Sequence, residues 1–154
     1  MRQGFGVRPP TPEDAALLVR DVRECDREEW VLASGRPLYP CLYDALEQAT
    51  GPVRTMHLWD HPLCIWGANR TPTPGTGLAW LIGTNLGQRH VRQVQRHFWL
   101  GLQELHAAFP RLDAWAYDQN HLHHHWMERL GFARTGDERR MGLGARFILF
   151  RREA

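Results

Sequence analysis

The sequence predicts an α/β fold: a single domain over residues 1–154, with a mixed, mostly antiparallel central sheet flanked by helices. Three observations carry this. The chain is 154 residues long, enough to bury one core without disulfide or metal staples. Its hydrophobic period changes from helical to alternating near residue 52 and back again near residue 88. And Asp113–Phe132, DAWAYDQNHLHHHWMERLGF, reads as strand, break, helix, glycine and new strand.

The elements follow in order. Gly4 to Arg8 makes a first strand. Thr11-Pro12-Glu13-Asp14 supplies an N-cap, a proline at the first helical position and acids in the first turn, ahead of a helix burying Ala15, Leu18 and Val22. Cys25 to Ala33 forms a second helix, with Trp30, Val31 and Ala33 set against acids at Asp26, Glu28 and Glu29. Pro40 to Ala49 is a third, with Leu42, Leu46 and Ala49 on one side and Thr50-Gly51-Pro52 ending it. Val53 to Trp59 and Leu63 to Ala68 form a hairpin about Asp60-His61-Pro62, and Leu78 to Gly83 adds a third strand. One long helix, Gln88 to Phe109, buries Val91, Val94, Phe98, Leu102, Leu105 and Phe109. Leu112 to Tyr117 has the apolar content of a strand buried on both faces. Asp118 or Asn120 caps the next helix, which carries Leu122, Trp126 and Leu130 on one stripe, and Gly131 takes the left-handed position after it. Phe132 to Arg139 and Arg146 to Arg151 close the chain as a hairpin.

Composition excludes several classes. No apolar run reaches the ~18 residues of a membrane helix, and MRQGFGVRPP lacks the apolar core of a secretion signal. Cys25, Cys41 and Cys64 have no C-x-x-C spacing and read as small hydrophobes in a reducing compartment. All 19 basic residues are arginine, and the formal charge is only +2, so no specific nucleic-acid partner is expected. Seven tryptophans beside so many arginines suit protein contacts. Trp59, beside a turn, and Trp99, which follows Phe98 on the long helix, are the interface candidates.

The strand followed by Asn120 and the Leu130-Gly131-Phe132 ending resembles the C-terminal half of the GNAT (N-acetyltransferase-like) fold. Val7 to Asp14 resembles its opening strand and helix start, so the likeness spans nearly the whole chain. A narrower likeness, resting on Arg23–Glu29, Trp80–Thr84 and the LGF helix, is to small GNAT-like internal-virion and assembly proteins of short-tailed phages.

That resemblance implies where acyl-CoA would sit: at the splay of two central strands, its pyrophosphate on main-chain N–H groups of a Q/R-x-x-G-x-G/A loop. The equivalent stretch, Gly83 to Arg92, does not contain that pattern. The cofactor candidates are therefore Leu81, Ile82, Gly83, Gly87, Arg89 and Arg92, with Asn120 matching the family's helix-start asparagine, whose simpler role is capping. The family's acid, a tyrosine four residues before the glycine of G-F, falls here on Met127, which has no proton to give. Tyr117, Glu104 and Asp118 are what remains for acid–base chemistry. His121 and His125, one turn apart, have metal-binding spacing but no third ligand, so no metal is expected; His123 and His124 read as solvated.

Two readings follow. The first is a virion-associated structural or assembly protein on a catalytically degenerate GNAT fold. It would have no cofactor, would partner other virion or assembly proteins or itself, and would reside in the host cytoplasm or the virion. The second is an acyl-CoA-dependent N-acetyltransferase with an atypical cofactor loop and acetyl-CoA as its cofactor. The missing loop and missing tyrosine favour the first.

Overall fold

The computed structural model describes residues 4–154, so the first three residues of the N-terminal reading lie outside it. The strands are β1 (Phe5–Arg8), β2 (Val53–Leu58), β3 (His61–Arg70), β4 (Thr76–Gly83), β5 (Arg111–Tyr117), β6 (Ala133–Met141) and β7 (Ala145–Glu153). The helices are α1 (Asp14–Arg20), α2 (Glu24–Ser34), α3 (Leu38–Glu47), α4 (Asn85–Arg89), α5 (Val91–Ala108) and α6 (His121–Arg129). Among the described residues the strands form one sheet in the order β1-β2-β3-β4-β5-β7-β6. Each neighbouring pair is antiparallel except β4 and β5, which the α4–α5 crossover makes parallel. No helix of the described residues is long and apolar enough to cross a membrane.

The sheet is covered on both faces. Leu18, Leu38 and Leu42 of α1 and α3 pack with Ile65 and Ile82 on one side. Val94, Phe98, Leu102 and Leu105 of α5, with Trp126 of α6 and Leu130 just beyond it, pack with Trp66, Leu112 and Ala114 on the other. These are largely the core positions read from periodicity.

Three expectations are corrected. The long helix is broken at His90, whose backbone leaves the helical region (φ −115°, ψ 36°). The Thr84 hydroxyl accepts from the Gly87 N–H, and Gly87 lies so close to β3 that a Cβ would come within 2.2 Å of the Leu63 carbonyl oxygen. That first turn is pinned to the strand, and the chain must re-aim at His90 before α5 can lay its apolar stripe on the sheet. β5 is not buried on both faces: Leu112, Ala114 and Ala116 point into the core, whereas Asp113, Trp115 and Tyr117 are half-buried. On α2 the acids do not share an outer face, because Asp26 and Glu29 are buried.

Asp14 fastens the N-terminal elements together. Its fully buried carboxylate accepts from both Arg8 guanidinium nitrogens (2.7 and 2.9 Å), the Thr11 N–H (2.8 Å) and hydroxyl, and the Thr55 hydroxyl of β2 (2.7 Å). Burial pushes the acid's pKa up, but the Arg8, Thr11 and Thr55 hydrogen bonds outweigh it and hold the group below its ordinary value. The Asp14 contribution is therefore present above its unfolded pKa of ~3.9 and lost as pH falls through the lower folded value. Asp14→Ala should cost about 2 kcal/mol or more, short of the ~3–5 kcal/mol of a fully buried pair because Arg8 reaches water. Urea unfolding at pH 7, repeated at descending pH, reads both effects, and wild type and variant converge in acid.

Candidate functional site

β4 and β5 are paired over three positions, Thr76–Arg111, Gly77–Leu112 and Leu78–Asp113. Beyond Leu78 and Asp113 the strands part, and a cavity of ≈ 280 Å³ occupies the gap. Its walls include Trp80 and Leu81 of β4, Trp115 of β5, Trp30 of α2, and Trp126 and Met127 of α6.

The β4 edge of this gap is taken by the chain itself. Val22 bridges Thr84, the Arg23 N–H donates to the Gly83 carbonyl (3.1 Å), and the Asn85 N–H donates to the Asp21 carbonyl (2.9 Å). Residues 21–23 thus act as one short added strand. At the start of α4, the Asp21 carboxylate accepts from the Leu86 N–H (3.0 Å) and the Asn85 amide (3.3 Å). The N–H groups at this helix start are occupied by a side-chain anion and by the Thr84 hydroxyl.

Two carboxylates of α2, one turn apart, then span the gap. Asp26 accepts from the Gly83 N–H of β4 (2.7 Å) and from Arg23 (2.7 Å). Arg23, itself buried, also donates to Gln88 (3.0 Å) and lies over the Trp126 ring at 5.3 Å. Glu29 accepts from the Tyr117 N–H of β5 (2.8 Å), the Asn120 amide (3.2 Å) and His123 Nδ1 (2.8 Å). Burial pulls the His123 imidazole down, but the Glu29 charge and hydrogen bond more than offset this, and its pKa is raised. His124 differs: burial lowers it, helped by Arg134, with its Nε2 on the Tyr117 carbonyl (2.9 Å).

The residues named from sequence fall in different places. Leu81 lines the cavity, and Gly83 sits at the gap with both backbone groups engaged; Ile82 faces the opposite core. Gly87 serves close packing on β3, and Arg89 and Arg92 are exposed. Asn120 caps α6 by accepting from the His123 N–H (3.2 Å) while its amide reaches Glu29. Tyr117 brings its backbone to the site, and its ring packs on Phe147. Glu104 pairs with Arg54 (2.7 Å) and does not line the cavity. Asp118 accepts from Gln119 and lies 3.6 Å from Arg146.

His123 and His124 are buried, correcting the solvated reading, while His121 and His125 are exposed. Among the described residues no three His, Cys, Asp or Glu side chains gather as a metal site would require. Trp59 is exposed at a left-handed φ of 53°, its N–H on the Gly4 carbonyl, and Trp99 is exposed beneath Arg152. Sequence reasoning passed over Arg23, Asp26, Glu29 and His123. Asp26 and Glu29, three residues apart, share one face of α2, and that spacing is the signal the sequence carries.

No protein-family model matches the chain, and no curated protein sequence does. Solved structures do. AAC(6')-Ib in complex with ribostamycin and coenzyme A superposes with a TM-score of 0.72 at 16% identity, covering 97% of this chain and 93% of that one. The ribosomal-protein-S5-alanine acetyltransferase of Vibrio fischeri gives 0.69 at 13%, covering 99% and 94%. A candidate acetyltransferase of Salmonella typhimurium with its cofactor acetyl-CoA gives 0.65 at 12%, covering 97% and 94%. The fold is the GNAT fold. These neighbours correct the expectation of a virion-associated structural protein, because they are acetyltransferases and two of them hold acetyl-CoA or coenzyme A. They likewise give no support to the expectation of no cofactor.

The main-chain donors of Gly83 to Gly87 do not fit a coenzyme diphosphate. Asp21, Asp26 and Thr84 already hold them. Acetyl-CoA should therefore bind weakly, and Asp21→Ala, which removes an anion from the start of α4, should tighten binding by about tenfold in isothermal titration. The His123–Glu29 pair makes a separate prediction about pH. With a raised folded pKa, its contribution is complete below the unfolded value of ~6.5 and is lost as pH rises through the folded one. Thermal melts from pH 6 to 9 should show that decline in wild type and its absence in Glu29→Gln.

Proposed function

We propose that the protein is an N-acyltransferase, moving an acyl group from a thioester donor of the acyl-CoA class to an amine, with an atypical donor loop. One observation carries this reading: two parallel strands hold register for three pairs and then part around an apolar cavity of ≈ 280 Å³. A gap between paired strands exposes backbone groups at a cost, and here it encloses a space rather than collapsing. The acetyltransferase neighbours that share the fold support the same reading, although fold alone does not assign an activity.

The contribution of the chain's own residues is largely environmental. Trp30, Trp80, Leu81 and Trp115 give the gap an apolar wall, which strengthens any polar interaction made against it. Tyr117, Glu104 and Asp118 are not among the residues that line the cavity.

The test is thiol release from acetyl-CoA and longer acyl-CoA thioesters, followed with a thiol-reactive dye against a panel of amines. Amine-dependent release is expected. Filling the gap by Ala114→Phe should abolish it while leaving the far-ultraviolet circular dichroism intact. Absence of amine-dependent release across the panel, at donor concentrations well above the expected weak affinity, would overturn the assignment.

A further inference from the structure

The gap has one polar wall. Glu29 and His123 both line the cavity, and the His123 ring is held by its Nδ1, 2.8 Å from Glu29. Its other nitrogen, Nε2, has no protein partner among the described residues, although the ring is buried. The carboxylate fixes which nitrogen faces Glu29 and leaves Nε2 for something else. The rest of the lining is nearly all apolar, with tryptophan prominent. The remaining polar groups, those of Ser34, Cys41 and Asn69 and the tryptophan indole N–H groups, are neutral; the Ser34 hydroxyl and the Asn69 amide oxygen are bonded to backbone at Arg36 and Thr50, and Trp80 Nε1 is buried without a partner among the described residues.

We propose that this cavity takes a monoamine with a compact apolar body, an aromatic ring or branched alkyl group, whose nitrogen hydrogen-bonds His123 Nε2. The choice of an amine rests on the acyl-transfer reading; the choice among amines rests on the cavity. An amine nitrogen and an imidazole nitrogen in contact share one proton, so together they carry one positive charge. Glu29 is the single carboxylate among the described residues that line the cavity, and it balances that one charge. A second ammonium group would be desolvated against indole and alkyl walls with no anion to meet it, which is strongly unfavourable.

Size agrees. At ≈ 280 Å³ the cavity lies just below the roughly 300–1,000 Å³ typical of small-molecule sites, which suits one ring and a short arm. Trp30 and Trp80 meet edge to face at 5.5 Å, and Trp115 and Trp126 also contribute to the walls. Such walls favour an aromatic body by ring contact and a cationic nitrogen by cation–π attraction. The site is thus matched to a ligand with one charge and one ring.

The experiment needs no acyl donor. Phenethylamine, spermidine and ethylbenzene are titrated into the full chain, with intrinsic tryptophan fluorescence and calorimetry as readouts. Phenethylamine is expected to bind, with spermidine and ethylbenzene each weaker by about tenfold or more. His123→Gln should weaken phenethylamine by a similar factor. Ala45→Phe, which fills the cavity and leaves His123 in place, should abolish binding with little change in the thermal melt. Ala45→Phe keeps the test decisive if His123→Gln fails to fold. Spermidine binding as tightly as phenethylamine, no phenethylamine binding, or binding unchanged in Ala45→Phe would overturn the proposal. Because no thioester is present, phenethylamine binding here, set beside an absence of amine-dependent thiol release in the acyl-CoA assay, would count against acyl transfer and not against the ligand class.

Discussion

Everything around the gap depends on two carboxylates one turn apart on α2. When β4 and β5 stop pairing, the Gly83 N–H and the Tyr117 N–H lose the partners a continuous ladder would have given them. A buried backbone donor left without a partner costs on the order of 1–3 kcal/mol. Asp26 meets the first at 2.7 Å and Glu29 the second at 2.8 Å. Each carboxylate is balanced by a cation or a titratable base beside it, Arg23 for Asp26 and His123 for Glu29. The splay is stable because α2 supplies, from one face, the hydrogen bonds that the sheet has given up.

The same arrangement separates the rim of the gap from its interior. At the rim Asp21 is partly exposed, and its bonds to Leu86 and Asn85 can be exchanged for water or for another anion. Deeper in, the Arg23–Asp26 pair is buried and tied to Gly83, Gln88 and Trp126. Removing one partner of such a pair typically costs ~3–5 kcal/mol. The AAC(6')-Ib and Salmonella structures share this chain's fold and hold coenzyme A or acetyl-CoA, but the fold does not dictate how its strand edge is used. Here that edge is used by residues 21–23 of the chain itself.

Much of the scaffold could be read from the sequence, for local reasons. Period and caps placed α5's stripe at Val94, Phe98, Leu102 and Leu105, and Gly131 takes the left-handed φ of 86° expected after the α6 C-cap. The site was harder because it violates the rule that reading relies on. Acids and histidines on a helix usually face water, and by that rule the sequence places Asp26 and Glu29 on an outer face and His123 and His124 in solvent. Burial was decided by partners remote in sequence: Gly83 for Asp26, Tyr117 and His123 for Glu29. The break at His90 was invisible for a related reason, since it follows from Gly87 packing on Leu63 of a different element.

These buried polar groups also explain why the gap stays open to a ligand without collapsing. Closing β4 onto β5 would restore a ladder only by expelling Asp26 and Glu29 from between the strand ends, leaving Arg23 and His123 buried beside no anion. Swinging α2 outward would expose Trp30, which packs on Trp80, and would free the Gly83 and Tyr117 N–H groups. Both movements lose charge-assisted hydrogen bonds inside a low-dielectric interior, where such bonds are strongest. The gap is therefore bounded on each side by a cost. The space between is apolar over most of its wall, and the one imidazole in that wall, His123, is already oriented by Glu29. A mostly apolar site with few oriented polar groups selects by shape first and by hydrogen bonding second.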